Sequence, residues 1–233
     1  MAIRLVALDA DDTLWHNESL FRLTQTRFNE LLADHATPDI VEAKLTEIER
    51  RNLELYGYGA KGFTLSMIET ALEISGAALP GSVLAEILAA GRSLMRHPVE
   101  TLPGVAEALQ HLAGKADLVL VTKGDLFHQE QKLAASGLGS LFSGVEIVSE
   151  KTTDTYRRVF ARYGVDPAEA VMAGNSVRSD ILPPLEAGAY AALIPYPLVW
   201  VHEAASAPRD HPRYKELASL GELPAWIDAL RAG

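Results

Sequence analysis

The hydrophobic positions of the chain fall into two rhythms. Ile3 to Leu8 is a short, mostly apolar run with Arg4 its only charge, which predicts a strand buried on both faces. After Trp15 the pattern becomes that of amphipathic helices. Leu20, Phe21, Phe28, Leu31 and Leu32 share one helical face, Thr24 fills the step between Leu20 and Phe28, and Leu23 widens the face. A second helix follows Asp39 with Ile40, Val41, Leu45, Ile48 and Leu55. The glycines of residues 56–62 predict a tight, exposed loop before a third helix through Leu65, Ile68, Ala71 and Leu72. Pro80-Gly81 breaks the chain ahead of a fourth, with Leu84, Ile87, Leu88, Leu94 and Met95, which ends at His97-Pro98. Successive helices with short connections read as a bundle of their own.

From about Leu102 helix and strand alternate. Pro103-Gly104 opens a helix through Val105, Leu109 and Leu112, and strands are predicted at 118–121, 145–148, 170–173 and 191–194. Helices fall between them, one leading to Gly137, one around Tyr156 to Tyr163, one ending at Gly188. This alternation implies right-handed βαβ units and a parallel sheet. The predicted fold is α/β, a Rossmann-like parallel sheet with an inserted α-helical domain. The core takes 1–15 and 100–233, and the insertion takes 16–99, placed at the carboxyl edge of the sheet. Beyond Pro195 only a strand at Val199 to His202 and a last helix around Trp226 to Leu230 are readable.

Candidate chemistry gathers where these strands end, as it does in open α/β sheets. The first ends in Asp9-Ala10-Asp11-Asp12-Thr13, the second in Thr122-Lys123-Gly124. Ser149-Glu150-Lys151 follows the third, and Gly174-Asn175-Ser176 the fourth, with Asp180 shortly after. Two carboxylates a few ångströms apart repel by about 1 kcal/mol in water and more when partly buried. A hard cation would relieve that repulsion, and Mg²⁺ uses one or two protein carboxylates with waters and phosphate oxygens. Each feature also has an ordinary reading: a solvated acidic turn, a capping Thr122, a surface Lys151, a solvated Asp180. Their order along successive strand ends favours a single site with a nucleophile, a hydroxyl, a cation and a metal ligand, the parts phosphoryl transfer needs.

Composition narrows the picture. The 233 residues carry a net charge of −10 and 48% hydrophobic residues. An acidic chain of this kind is unsuited to binding a nucleic acid polymer, because phosphate backbones need clustered Lys and Arg. Without cysteine there are no disulfides, thiolate metal sites or cysteine nucleophiles. No apolar run approaches the ~20 residues that span a membrane, and no signal peptide is legible at the start, so the expected location is cytoplasmic. His16, His97 and His202 show no ligand spacing.

The motifs resemble those of the haloacid dehalogenase (HAD) superfamily. Asp9-x-Asp11-x-Thr13 is similar to its first motif, Leu118 to Thr122 to its second, Lys151 to its third, and Gly174 to Asp180 to its fourth, with Asn175 where many members carry Asp. The helical insertion resembles a C1-type cap. The resemblance implies that Asp9 attacks phosphorus and that Asp11 serves as general acid and base. It implies that Thr122 and the backbone amides after it, with Lys123 and Gly124, hold the phosphoryl oxygens, and that Lys151 neutralises charge. Mg²⁺ would rest on Asp9, the carbonyl of Asp11, and Asn175 or Asp180. Tyr58 and Lys61, in the loop of the insertion, are the expected contacts to the rest of the substrate. An acid at Asp11 suits an alkoxide leaving group, so the expected reaction is hydrolysis of a small phosphate monoester. A sugar phosphate, phosphoglycolate or a nucleoside monophosphate are candidates. A sugar phosphomutase and a non-catalytic phosphate-binding or regulatory module are the alternatives. Oligomeric state is not legible.

Overall fold

The computed structural model describes residues 2–76 and 79–232, which form two compact units, Met1–Glu18 with Val99–Lys123 and Gln129–Gly233, and Ser19–Pro98 with Gly124–His128. Residues 124–128 thus group with the helices, not with the α/β core in which the sequence pattern places them.

The first unit is built on six parallel strands in the order β3-β2-β1-β4-β5-β6. They are β1 (Leu5–Leu8), β2 (Asp117–Lys123), β3 (Gly144–Val148), β4 (Ala170–Gly174), β5 (Tyr190–Leu193) and β6 (Tyr214–Glu216). Alternation along β1 divides the core. Val6 and Leu8 pack into one apolar cluster with Leu109, Leu112, Leu133 and Ile227, while Leu5 and Ala7 pack into another with Tyr156, Phe160 and Met172. Both faces are therefore covered, as an all-parallel sheet requires. Burying one Leu or Val side chain contributes about 1.5–3 kcal/mol, and all four β1 side chains are fully buried. The register sets Leu8 beside Leu120 on one side and Ala173 on the other. Asp9, the next residue, therefore leaves the sheet at its middle, between the ends of β2 and β4.

The helices of this unit are α5 (Val105–Ala113), α6 (Leu126–Ser136, whose first turn lies in the segment 124–128), α7 (Thr153–Arg162), α8 (Leu182–Ala187) and α9 (Leu223–Ala232). The expected strand at Val199 to His202 is absent. A short 3₁₀ turn, Val201–Glu203, stands there, and the sixth strand comes later, at Tyr214–Glu216.

The second unit takes α1 (Glu18–Leu31) from Ser19 onward, with α2 (Pro38–Tyr56), α3 (Ala60–Ser75) and α4 (Gly81–Arg96). Phe28, Val41, Leu45, Phe63, Met67 and Ile87 form its core. Several residues counted on apolar faces are instead solvent-facing: Leu23 is 68% exposed and Leu55 70%, and Ile40, Leu65, Leu72, Leu84 and Leu88 are exposed as well. Small and polar residues replace them at the contacts. Gly91 lies so close to Thr64 that a methyl group there would collide with it, and buried Asn52 donates to Ser66 Oγ at 3.2 Å. The expected loop at 56–62 shrinks to residues 57–59, because Ala60 to Gly62 are already helical. Among the described residues no helix is long and apolar enough to cross a membrane.

Candidate active site

The site begins where β1 stops. Asp9 N–H donates to Ala173 O at 2.9 Å, continuing the sheet's pairing by one residue before the chain bends. The bend is closed by Leu14 N–H on Ala10 O (2.8 Å) and Asp12 N–H on Trp15 O (2.8 Å). Asp12 sits in the left-handed region at φ 61°, which Asp tolerates better than most residues. Its carboxylate accepts from the N–H groups of Asn17 and Glu18 and so caps the start of α1. Burial pushes the Asp12 carboxyl up to about 7, against the pull of those N–H donors. Asp12 is thus engaged in capping α1, and Asp9 and Asp11 remain as the candidate reactive carboxylates.

Asp9 is held from two sides. Lys151 Nζ donates to its Oδ1 at 2.5 Å and Thr13 Oγ1 to its Oδ2 at 3.2 Å. The same ammonium donates to Asp180 Oδ1 at 2.7 Å, so one buried cation serves two buried carboxylates. Burial pushes Asp9 up to about 7, Lys151 opposes the rise, and the negative charge of Asp180 adds to it. Burial works against the Lys151 ammonium too, but the two carboxylates outweigh it and raise Lys151 above the ordinary lysine range. The trio keeps a net charge of −1 out of water, a costly arrangement unless a further cation shares it.

Asp11 has a separate set of donors: Lys132 Nζ at 2.5 Å and Trp15 Nε1 at 2.7 Å on Oδ1, and Gln129 Nε2 at 3.0 Å on Oδ2. Burial alone would raise its pKa, but Lys132 and the other donors overcome that and hold it below the usual carboxylate range. Gln129 also donates to the hydroxyl of Thr122 at 3.0 Å, which ties the end of β2 to Asp11.

Asn175, directly after β4, turns its amide toward Asp9 and Asp11. As the amide is oriented, its oxygen lies 3.2 Å from Asp9 Oδ2 and 3.2 Å from the carbonyl oxygen of Asp11. Three acceptor oxygens facing one another repel. Turning the amide over makes Nδ2 a donor to both, and a cation among the three oxygens would equally remove the conflict. The set of one carboxylate, one carbonyl and one amide oxygen fits Mg²⁺, which keeps several waters and needs few protein ligands. Asp180 has both oxygens engaged, Oδ1 by Lys151 and Oδ2 by the N–H of Ser176 at 3.0 Å. Gly174 makes this possible, because a Cβ there would overlap the Asp180 carboxylate.

The structure thus gathers Asp9, Asp11, Thr122, Lys151, Asn175 and Asp180 at the carboxyl ends of β1 to β4. Lys123 is in the same unit, but its ammonium pairs with Glu203 at 2.5 Å rather than standing open. Gly124, at φ 129°, belongs to the helical unit, as do Tyr58 and Lys61. There Lys61 Nζ donates to Asp125 Oδ2 at 2.9 Å. Gln129, Lys132 and Glu203, which also contact residues of the site, belong to no motif in the sequence. Gln129 and Lys132 lie one helical turn apart on α6, and their one signal is a polar stripe on a helix that should bury that face.

This chain belongs to the haloacid dehalogenase-like hydrolases, whose family model matches residues 3–188. It is 42% identical to a haloacid dehalogenase-like family hydrolase from Xanthomonas campestris, with a TM-score of 0.90 over 99% of this chain and 93% of that one. A putative HAD hydrolase from Bacillus subtilis, solved bound to magnesium, shares the fold at 20% identity and a TM-score of 0.69, over 98% and 100% of the two chains. The N-acylneuraminate-9-phosphatase of Rattus norvegicus is 27% identical over 134 residues, which are 54% of this chain and 51% of that protein. The chain spans about half the length of the curated relatives it matches.

Proposed function

We propose that this hydrolase is a Mg²⁺-dependent phosphatase that cleaves a small phosphate monoester through an aspartyl-phosphate on Asp9. The observation that carries the reading is the second carboxylate: Asp11 stands two residues from Asp9 with its own three donors, a separate acid–base group beside a separate nucleophile. Cleavage of a carbon–halogen bond has no use for a proton donor at that position, because halide leaves as an anion.

In the first half-reaction an oxygen of Asp9 bonds to phosphorus as the bond from phosphorus to the ester oxygen breaks, and Asp11 gives that oxygen its proton. Lys132 keeps Asp11 ionised in the resting site. An arriving phosphate dianion opposes the Lys132 field and favours the protonated form. In the second half-reaction Asp11 takes a proton from a water whose oxygen bonds to phosphorus as the bond from phosphorus to the Asp9 oxygen breaks, which releases phosphate and restores Asp9. Lys151 balances charge passing between Asp9 and the phosphoryl oxygens, and the Thr122 hydroxyl holds one of those oxygens. Asp9, the carbonyl of Asp11 and Asn175 would hold Mg²⁺, which supplies further positive charge for the phosphoryl group. Asp180 acts through Lys151.

We read the helical unit as the C1-type cap, with Tyr58 and Lys61 as its contacts to the substrate. The names of the curated relatives favour a phosphorylated sugar over the other candidate esters. The test is phosphate release from p-nitrophenyl phosphate with Mg²⁺ and with EDTA, beside Asp9→Asn. Turnover should need the metal and vanish in the variant; turnover that survives Asp9→Asn would end the mechanism.

A further inference from the structure

The stretch between β5 and β6 carries Glu203, whose side chain is mostly buried. Its Oε1 accepts from Lys123 Nζ at 2.5 Å, and its Oε2 accepts from Ser179 Oγ at 2.5 Å and from Ser176 Oγ. Lys123 Nζ donates to Ser179 Oγ as well, at 3.0 Å. Lys123 directly follows Thr122 at the end of β2. Ser176 and Ser179 belong to the segment after β4 that carries Asn175 and Asp180, with Ser179 and Asp180 on a π-helical turn, Val177–Ile181. Because β1 lies between β2 and β4 in the sheet, this one carboxylate links the two strand ends that flank Asp9. Arg178 Nη1, donating to His202 O at 2.7 Å, fastens the same 3₁₀ turn to the same loop.

A buried charge network of this kind contributes little to stability, since desolvation offsets most of the attraction. Its value is in geometry. We propose that Glu203 is a positioning residue, which sets the loop after β4 against the end of β2 and so holds the Asn175 amide at its 3.2 Å separations from Asp9 and Asp11. The proposal rests on the phosphatase reading given above. Glu203 acts through Ser176, Ser179 and Lys123, the groups its carboxylate holds.

The test is calorimetric titration of the full-length protein with Mg²⁺ alone, without substrate, with melting temperatures recorded in parallel. Groups that orient metal ligands typically cost 10–100-fold in metal affinity when removed, so Glu203→Ala should bind Mg²⁺ about tenfold more weakly. Glu203→Gln, which keeps an acceptor for Lys123 and can still meet the serine hydroxyls, should stay within about threefold of wild type. Lower melting temperatures with an unchanged Mg²⁺ constant would reduce Glu203 to a structural part and overturn the proposal. Equal losses in Ala and Gln would also overturn it, by tracing the effect to charge. If Glu203→Ala does not fold, Ser179→Ala must itself weaken Mg²⁺ by about threefold, the value of one hydrogen bond, and wild-type affinity there would overturn the proposal. A wild type that binds no Mg²⁺ would be a different failure, that of the phosphatase reading, and the role of Glu203 would fall with it.

Discussion

At Asp9 stability and chemistry pull in opposite directions. Its folded-state carboxyl is raised to about 7 by burial, from an ordinary 3.8. The folded protein therefore binds this proton more tightly than the unfolded chain, and the ionised form carries a folding penalty. That penalty is absent below pH ~4, grows between the two values and is complete above about 7. Asp9→Asn removes the charge and leaves Lys151 paired with Asp180 alone. In EDTA the variant should gain melting temperature relative to wild type as pH rises from about 4 to about 7, and a difference that stays flat with pH would contradict the shift. Lys61 offers a second residue-level prediction. Lys61→Ala should raise KM for the natural ester and spare kcat on p-nitrophenyl phosphate; a fall in that kcat would give Lys61 a chemical role.

At the scale of elements, the loop after β4 depends on close approach. Gly174 leaves room for the Asp180 carboxylate, which receives the N–H of Ser176 and the ammonium of Lys151. Gly174→Ala should displace Asp180 and with it Lys151, and misplacement by about 1 Å can cost on the order of a hundredfold in rate. Near-normal turnover in Gly174→Ala would show that the loop yields without consequence. Within the helical unit, Gly91→Ala meets Thr64 in the same way. Overpacking of this kind typically costs about 1–3 kcal/mol, which denaturant unfolding would register, while Mg²⁺ binding by the other unit should be unaffected. Element boundaries were largely legible in the chain, since Pro and Gly mark most of them. The faces of the helices were less so. Leu23, Leu55 and Leu65 satisfy helical spacing yet face solvent, because burial depends on which side neighbouring helices occupy, and periodicity is silent on that.

For the whole molecule the relevant quantity is charge. A net −10 repels a phosphate dianion at a distance, even with Lys151 after β3 and Lys132 on α6 beside the two aspartates. Between about 10 and 150 mM NaCl the Debye length falls from roughly 30 to 8 Å. Screening should then raise kcat/KM for p-nitrophenyl phosphate at saturating Mg²⁺. A fall would mean that local cations, not the net charge, govern the approach. What the sequence alone determined is the alternation of strand and helix, the helical insertion after the first strand, and a candidate functional group after each of four strands. These are local properties, carried by runs of residues and by their order. Strand order is not local, and the tertiary structure decided it: β1 lies at the middle of the sheet. That placement brings Lys132 to Asp11 across 121 positions and Lys151 to Asp9 across 142. It also brings Glu203 to Lys123 across 80. No spacing in the chain encodes these meetings. They follow from packing both faces of a parallel sheet, which sets side by side strands that are far apart in sequence.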